Sequence, residues 1–599
     1  MTDYRPPLDD IRFVLDEVTD YGRLAGLDTF SHADLDTVSG VLEEAGRFMA
    51  EVVAPTNVDG DRQGATRNDD GTVGLPASFA DAYGRYVEAG WGAVAFPPSY
   101  GGGGFPWAVG IALQEMLTSA NMAFSLCPLL TQGAIDALLH HGTEAQRELY
   151  LPRMTTGEWS GTMNLTEPEA GSDVGALTTR AERRDDGSYR ITGQKIYITF
   201  GEHDLTPQIV HLVLARLPDA PPGTRGISLF VVPKFLLDED GEPGERNDVT
   251  CVSIEHKLGI HGSPTCVLSF GDGGEGAVGY LVGEENQGMR CMFTMMNNAR
   301  LSVGLSGLAI GERAFRQAAE FAQERQQGRA VGAPAGTSSP IIDHADVRRM
   351  LMTMKAQVEG LRCLIYANAA AIDLAANHPD PAVRERNDEL AAIYTPVSKA
   401  FGTDLGVEVA STAMQVHGGM GYVEETGVAQ YYRDIRIAPI YEGTNGIQAA
   451  DLVGRKLALR GGAAVKELLA EIAGLDTDLA AAGDDLAAIR AGLADAVEAL
   501  GSATDWMLAH GAEDPNAALA GSAPYLRMFG LTLCGSMLAR SALAASKRLG
   551  DGRGDASFNR AKIVTARFHA TRLLPEVRAL ASAATSGASD LFALTPEQL

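Results

Sequence analysis

Apolar residues recur at three- and four-residue spacing from about 34 to 158, as in "DLDTVSGVLEEAGRFMAEVV". This period predicts amphipathic helices opening behind an N-cap at Ser31 or Asp34. Between those helices lies "FPPSYGGGGFPW", whose prolines and glycines exclude regular structure and let backbone approach another surface closely. A mobile linker is the plainer alternative, but a stretch so apolar favours close packing over it. From about 159 to 285 the period changes to two in "SYRITGQKIYITFG", "IVHLVLARL", "ISLFVVPKF", "VTCVSIEHKLGI" and "TCVLSFGDG", which predicts an antiparallel β-domain. From 287 the helical period returns and predicts three long helices, the first starting near "MNNAR". Beyond "LRGGAAV" an Ala-rich segment, 464–599, keeps helical spacing and reads as packing or assembly.

The expected architecture is therefore multidomain and mainly α, and it divides into five segments. These are an N-terminal extension (1–33), a helical domain (34–158), a β-domain (159–285), a second helical domain (286–460) and a helical C-terminal extension (461–599). At 599 residues the chain exceeds one hydrophobic core, and 45% hydrophobic with 21% charged residues is ordinary globular composition.

Charge changes the functional picture more than composition does. A formal net charge of -28 repels nucleic acid and anionic lipid, so neither is expected as a partner, and an anionic ligand would need local arginines. Cysteines 127, 251, 266, 291, 363 and 534 form no CxxC pair, which argues for buried thiols and against a metal site or disulfide framework. The start "MTDYRPPLDDIRFVLDEV" lacks a signal pattern and no later window reads as 18 uncharged apolar residues, so a cytoplasmic protein without membrane spans is expected.

Two stretches carry chemistry in the β-domain. "MNLTEPEAGSDVGALTTRAE" offers Thr166, Ser172 and Asp173 on a segment that Pro168 and Gly171 keep from becoming a strand. In "GQKIYITFG", Tyr197 and Thr199 share one strand face, an aromatic surface beside a hydroxyl that suits a planar heterocycle. Each alone is more often plain strand packing. Together, and in this order, they resemble the flavin-dependent acyl-CoA dehydrogenase family, and the resemblance extends over about 34–458.

The resemblance implies a barrel-like middle domain, a C-terminal four-helix bundle and FAD as cofactor. It places Met163, Leu165, Thr166, Tyr197 and Thr199 against the flavin, with Tyr197 where many members have Trp. Ser172, Arg300, Tyr441 and Gly443 fall at acyl-CoA positions. Arg325 in "ERQQGR", and Gln415, Gly418 and Gly419 in "QVHGGMGY", match groups that hold the dinucleotide of a second subunit, which implies a homodimer. Gln327 and Gly328 replace a common aromatic-glycine pair and are followed by an insertion-like "AVGAPAGTSSP". Thr444 matches a further FAD contact, and Gly446 replaces a common glutamine.

In "PIYEGTNGIQ" the resemblance makes Glu442 the base that removes a substrate α-proton. The chemistry asks for such a group: a thioester α-proton is weakly acidic, so its removal needs a positioned, desolvated base and hydrogen-bond donors to the carbonyl. Some members place the base one residue before the arginine of "MNNAR", but here that residue is Ala299, and no acid lies between Glu285 and Glu312. The expected reaction is α,β-dehydrogenation of a saturated acyl-CoA to the trans-2-enoyl-CoA, with electron-transferring flavoprotein as acceptor. The long form resembles a bacterial subgroup, implying a medium- to long-chain fatty acyl substrate or, alternatively, 3-methylthiopropanoyl-CoA. An acyl-CoA oxidase using oxygen and a noncatalytic scaffold are the rival readings.

Overall fold

The structure, a computed structural model, describes residues 4–599. Its principal helices are α1 Leu8–Phe13, α2 Leu35–Phe48, α3 Trp107–Ala120, α4 Met122–His141, α5 Gly288–Glu324, α6 Ala345–Asn377, α7 Pro381–His417, α8 Asn445–Asp451, α9 Ser522–Gly550 and α10 Ala556–Arg572. The strands of its large sheet are β1 Trp159–Asn164, β2 Arg180–Arg183, β3 Tyr189–Thr199, β4 Gln208–Arg216, β5 Ile227–Pro233, β6 Val249–Ile254, β7 Thr265–Phe270 and β8 Ala277–Val282. Asp34 accepts from the Thr37 amide at 2.7 Å and starts α2, whereas the Ser31 hydroxyl turns back to the Asp28 carbonyl. Two compact units are present, one formed by residues up to Glu43, Pro106–Glu115 and Val303–Leu599, the other by Glu44–Phe105 and Met116–Ser302.

In the second unit the sheet runs β6-β7-β3-β8-β5-β4-β1, with β2 pairing β3 and β4. The antiparallel expectation needs correction at one end, where β1 lies parallel to β4, from Trp159 opposite Gln208 to Asn164 opposite Val213. The β2–β3 hairpin intervenes, so the chain re-enters the sheet in its original direction. Both paired strands are buried almost throughout, which suits a parallel pair covered on both faces. One apolar cluster joins Trp159, Met163, Leu212 and Leu229 to Leu138, Tyr150, Met292 and Met295, and another fills the opposite side with Ile191, Val213, Phe230, Leu268 and Phe270.

The glycine-rich stretch is built into this unit rather than being a linker. Gly103 N, Gly104 N and Phe105 N donate to the carbonyls of Ala93, Phe96 and Val94, and a Cβ on Gly102 would stand 2.0 Å from the Phe96 carbonyl oxygen. Gly102 and Gly103 are needed because backbone folds directly onto backbone, and Gly101 and Gly104 because their φ is 87° and 67°. A second correction concerns α5, which begins at Gly288, so Arg300 lies inside the helix and not at its start. Two helices, α4 and α9, are long and apolar enough to cross a membrane by length and composition, but 83% of each apolar window is buried inside the protein. All six cysteines are free and buried.

In the first unit α5 and α7 meet backbone to backbone. A Cβ on Gly304 would stand 2.3 Å from the Ser398 carbonyl oxygen, and one on Gly307 would stand 2.0 Å from that of Gly402. The C-terminal extension is part of the same core. Gly530 of α9 receives the Phe401 ring of α7, and Gly360 of α6 receives Cys534. Lys562 of α10 donates to Asp10 of α1 and, at 3.1 Å, to Glu359 of α6, while Arg316 meets Asp10 at 3.0 Å. Arg362 in turn grips Glu115 and Glu312 at 2.8 and 2.9 Å. Buried charges of this kind persist only when every member is paired. Replacing Gly307 with Ala puts a methyl group where a carbonyl stands, and is expected to lower stability by about 2 kcal/mol or more; thermal unfolding with Gly474→Ala, an open helical position, as control measures it.

Candidate active site

The candidate flavin-facing residues of the second unit are set by the end of β1. His211 Nδ1 lies 2.7 Å from Thr162 Oγ1, and Asn164 Nδ2 donates to the same hydroxyl at 2.9 Å. Burial pushes His211 down to about 3, so its ring is a neutral hydrogen-bonding group. The chain then leaves as Leu165-Thr166-Glu167 and is tied to β3 at once. Ile196 N donates to Thr166 O at 2.9 Å, and Lys195 Nζ donates to Leu165 O at 3.0 Å and to Glu167 Oε1 at 2.8 Å. Glu167 also accepts from the amides of Thr178 and Thr179 and the Thr178 hydroxyl. Burial alone would raise this carboxyl, but the ammonium and these hydrogen bonds outweigh it and bring it to about 2. Burial pushes Lys195 down to about 8.

Between Lys195 and Ile198 the β3–β7 register slips, leaving Ile196 and Tyr197 opposite a single partner residue. Tyr197 takes φ 60° there and is 60% exposed. The bulge reverses the alternation of β3, so that Lys195 and Ile198 are both buried while Tyr197 and half-buried Thr199 share the open face. Met163 lies in the apolar cluster with Leu165 against it, and Ser172 is exposed on the following turn. Arg300 is buried with its guanidinium 6.0 Å from the Phe293 ring centroid.

In the first unit Arg325 follows the last residue of α5, and Gln415 lies in the last turn of α7. Phe321 and His417 stack at 4.4 Å between ring centroids and hold these helix ends side by side. Gln415, Gly418 and Gly419 are exposed there, with Gly418 at φ 61° and no atom within 4 Å of a Cβ on either glycine. The segment after Arg325 is an ordered finger closed by Gln327 N to Ser339 O at 3.0 Å and Ser339 N to Gly328 O at 2.9 Å.

Glu442 sits in a closed loop, with Asn445 N donating to Pro439 O at 3.0 Å. Glu442 takes φ 56° and Gly443 φ 81°, two left-handed residues in succession. The first costs a non-glycine residue roughly 1–2 kcal/mol, and the second gives a structural reason for glycine. Burial first, and then the Glu442 charge, push the Tyr441 phenol above its ordinary range. Thr444 caps α8, its hydroxyl accepting from Ile447 N at 3.2 Å.

Domain models of acyl-CoA dehydrogenases match three stretches of the chain: the N-terminal domain over 38–158, the middle domain over 162–272 and the C-terminal domain over 286–457. The extension matches a further model, acetyl-CoA dehydrogenase C-terminal like, over 464–595. The chain belongs to the acyl-CoA dehydrogenase family. It is 48% identical over 589 residues to the 3-methylmercaptopropionyl-CoA dehydrogenase of Ruegeria pomeroyi, covering 98% of this chain and 99% of that one. To the broad-specificity linear acyl-CoA dehydrogenase FadE5 of Mycobacterium tuberculosis it is 37% identical, covering 96% of each. An acyl-CoA dehydrogenase complexed with FAD from Bacillus anthracis shares the fold at a TM-score of 0.73 and 20% identity, covering 95% of this chain and 90% of that one.

This acyl-CoA dehydrogenase is an FAD-dependent oxidoreductase acting on CH–CH bonds, and its residues fit that cofactor. An exposed tyrosine ring beside Thr199 and the Thr166 segment offers a flat surface with hydroxyls at its edge, and Gly418 and Gly419 leave open backbone for a bulky ligand. Three positioning residues escaped the sequence reading: Glu167, Lys195 and His417. The "TEP" run signals the first, but nothing in sequence shows that its partner is Lys195, 28 residues on.

Glu167 folds with its carboxyl at about 2 against an ordinary 4.5, so its stabilisation is present above 4.5 and is lost as pH falls toward 2. Glu167→Gln strands the Lys195 ammonium and is expected to cost about 3 kcal/mol at neutral pH. Denaturant unfolding of both proteins across this range should show the gap closing in acid, and Glu167→Gln combined with Lys195→Met should recover part of the loss.

Proposed function

We propose that Glu442 removes the α-proton of a saturated acyl-CoA while the β-hydrogen departs as hydride, giving the trans-2-enoyl-CoA. FAD, when bound, supplies the hydride acceptor. The observation that carries this reading is the left-handed pair Glu442–Gly443 in a loop closed by Asn445 N and Pro439 O. A carboxylate held in a costly backbone conformation by its surroundings is what a positioned base requires. The Glu442 backbone N–H is assigned to the thioester carbonyl, where it stabilises the enolate-like charge. Arg300 holds the CoA part of the substrate with Ser172, and Tyr441 and Gly443 line the reacting end.

Of the two substrate expectations, the short sulfur-containing thioester, 3-methylthiopropanoyl-CoA, is better supported. The named relative for that substrate is 48% identical along the whole chain, whereas the broad-specificity linear enzyme is 37% identical. The latter keeps a medium- to long-chain fatty acyl substrate as the second reading. Electron-transferring flavoprotein is the proposed acceptor, in preference to oxygen. The assembly is proposed as a homodimer in which Arg325, Gln415, Gly418 and Gly419 hold the dinucleotide of the second copy and Thr444 contacts FAD.

Anaerobic mixing with 3-methylthiopropanoyl-CoA and straight-chain acyl-CoAs of graded length tests substrate and base together. Bleaching of the flavin band is expected to be fastest with the sulfur-containing thioester and absent in Glu442→Gln. Faster bleaching with longer chains would move the assignment to the fatty acyl substrate. Bleaching that survives in Glu442→Gln would remove Glu442 from its role.

A further inference from the structure

The Asn445 side chain, on the first residue of α8, is held by α7 more completely than it needs for its own satisfaction. Its Nδ2 lies 3.1 Å from Ala400 O, 3.0 Å from Thr403 Oγ1 and 2.8 Å from Asp404 Oδ1. Its Oδ1 accepts from Lys399 Nζ at 2.9 Å and lies 3.3 Å from Thr403 Oγ1. Lys399 and Thr403 are fully buried, and Thr403 Oγ1 also lies 2.8 Å from Lys399 O. One short amide therefore satisfies donors and acceptors from two successive turns of α7. The same residue closes the base loop through its backbone, Asn445 N to Pro439 O at 3.0 Å.

Only Gly443 and Thr444 separate this anchor from Glu442. Thr444 opens α8, Gly443 is left-handed, and Glu442 is left-handed although it carries a Cβ. An unanchored chain would let Glu442 relax to negative φ, and that rotation redirects the carboxylate.

We propose that Asn445, held by Lys399 and Asp404, is the positioning residue that fixes the direction of the Glu442 carboxylate. The proposal rests on the assignment of Glu442 as base. Its chemical content is orientation: the anchor touches no substrate, and it acts by restricting a backbone that the base would otherwise leave.

The test compares Asn445→Ala, Asn445→Asp combined with Asp404→Asn, Lys399→Met and Glu442→Gln as holoenzymes, measuring the anaerobic reductive half-reaction from pH 5 to 9, KM for the acyl-CoA, and hydrogen exchange of the peptide covering 439–450. Misplacement of a reacting group by about an ångström costs about a hundredfold. Asn445→Ala is expected to lose about that factor in the reductive rate at every pH with KM within about threefold, and to lose exchange protection in this peptide. Asn445→Asp alone would set a carboxylate against Asp404 and the Ala400 carbonyl, so it is made together with Asp404→Asn, a swap that keeps the acceptor for Lys399, returns an amide donor to the pair and should recover part of the rate. Lys399→Met removes a buried ammonium whose loss can unfold the helix, so the Asn445→Asp, Asp404→Asn swap is the variant that keeps the proposal testable if the others fail to fold. A wild-type rate in Asn445→Ala overturns the proposal, as does a loss shared equally by rate, KM and flavin content. If Glu442→Gln still reduces flavin, the base assignment fails whatever Asn445 does.

Discussion

The contact on which much of the first unit depends is the backbone crossing of α5 and α7. Gly304 and Gly307 on one side, with Ser398, Gly402 and Gly406 on the other, bring main chains to distances that no side chain permits. Once that crossing is fixed, the rotation of α7 about its own axis is fixed too. Lys399, Thr403 and Asp404, interleaved with those residues, must then face the loop that carries Asn445. Phe401, on the same turns, faces Gly530 of the C-terminal extension. A helix that is amphipathic in the ordinary sense has one apolar stripe; α7 has a backbone face, a polar face and an aromatic face within three turns, which is why its periodicity alone says so little about what it does.

Charge is handled in a related way. A net charge of -28 gives a chain enough surface acid to hold its cations there. Instead Lys195, Arg362, Lys399 and Lys562 are all buried. Each fixes a join between segments distant in sequence: Lys195 joins β3 to the Thr166 segment, Lys562 joins the extension to α1 and α6, Arg362 joins α6 to α3 and α5, and Lys399 joins α7 to α8. Such pairs add little net stability over apolar packing, but they penalise any arrangement that leaves one partner alone. Here they select a register.

The division into helical, β and helical stretches was legible because period two and period 3.6 each persist over many residues, and the antiparallel strands followed from their alternation. The parallel pairing of β1 was not, because a strand buried on both faces shows no alternation, and neither was the start of α5, because the "MNNAR" region lies inside one continuous helical period. The stretch "FPPSYGGGGFPW" reads as flexible by composition, yet glycine also serves where backbone packs on backbone, and composition does not separate the two uses. Glu442, Tyr197 and Thr199 stood out through resemblance to a family, since a lone loop acid or a strand tyrosine carries no signal of its own. What sequence could not show was the partner of each: Glu167 with Lys195, Phe321 with His417, Asn445 with Lys399. These are pairings across 28, 96 and 46 residues, and only the folded chain brings them together.

Among the described residues, seven non-glycine positions have positive φ, and Tyr197 and Glu442 are two of them. A strained position in a core loop is ordinarily removed by a glycine or asparagine substitution, which restores roughly 1–2 kcal/mol. Neither substitution serves here, because the ring of Tyr197 and the carboxylate of Glu442 are the groups proposed to act. The strain must therefore be held by neighbours, and in both places the holder is close in sequence and hydrogen-bonded to buried groups. Lys195, two residues before Tyr197, is locked into the Glu167 pair on the far side of the bulge, and Asn445, three residues after Glu442, is locked into α7. In each case a hydrogen-bonded polar anchor fixes the backbone and leaves the neighbouring side chain to point where unstrained geometry would not send it. This arrangement explains why the anchors are polar: a hydrogen-bonded group has one satisfied orientation, whereas an apolar side chain of the same size has several of nearly equal energy.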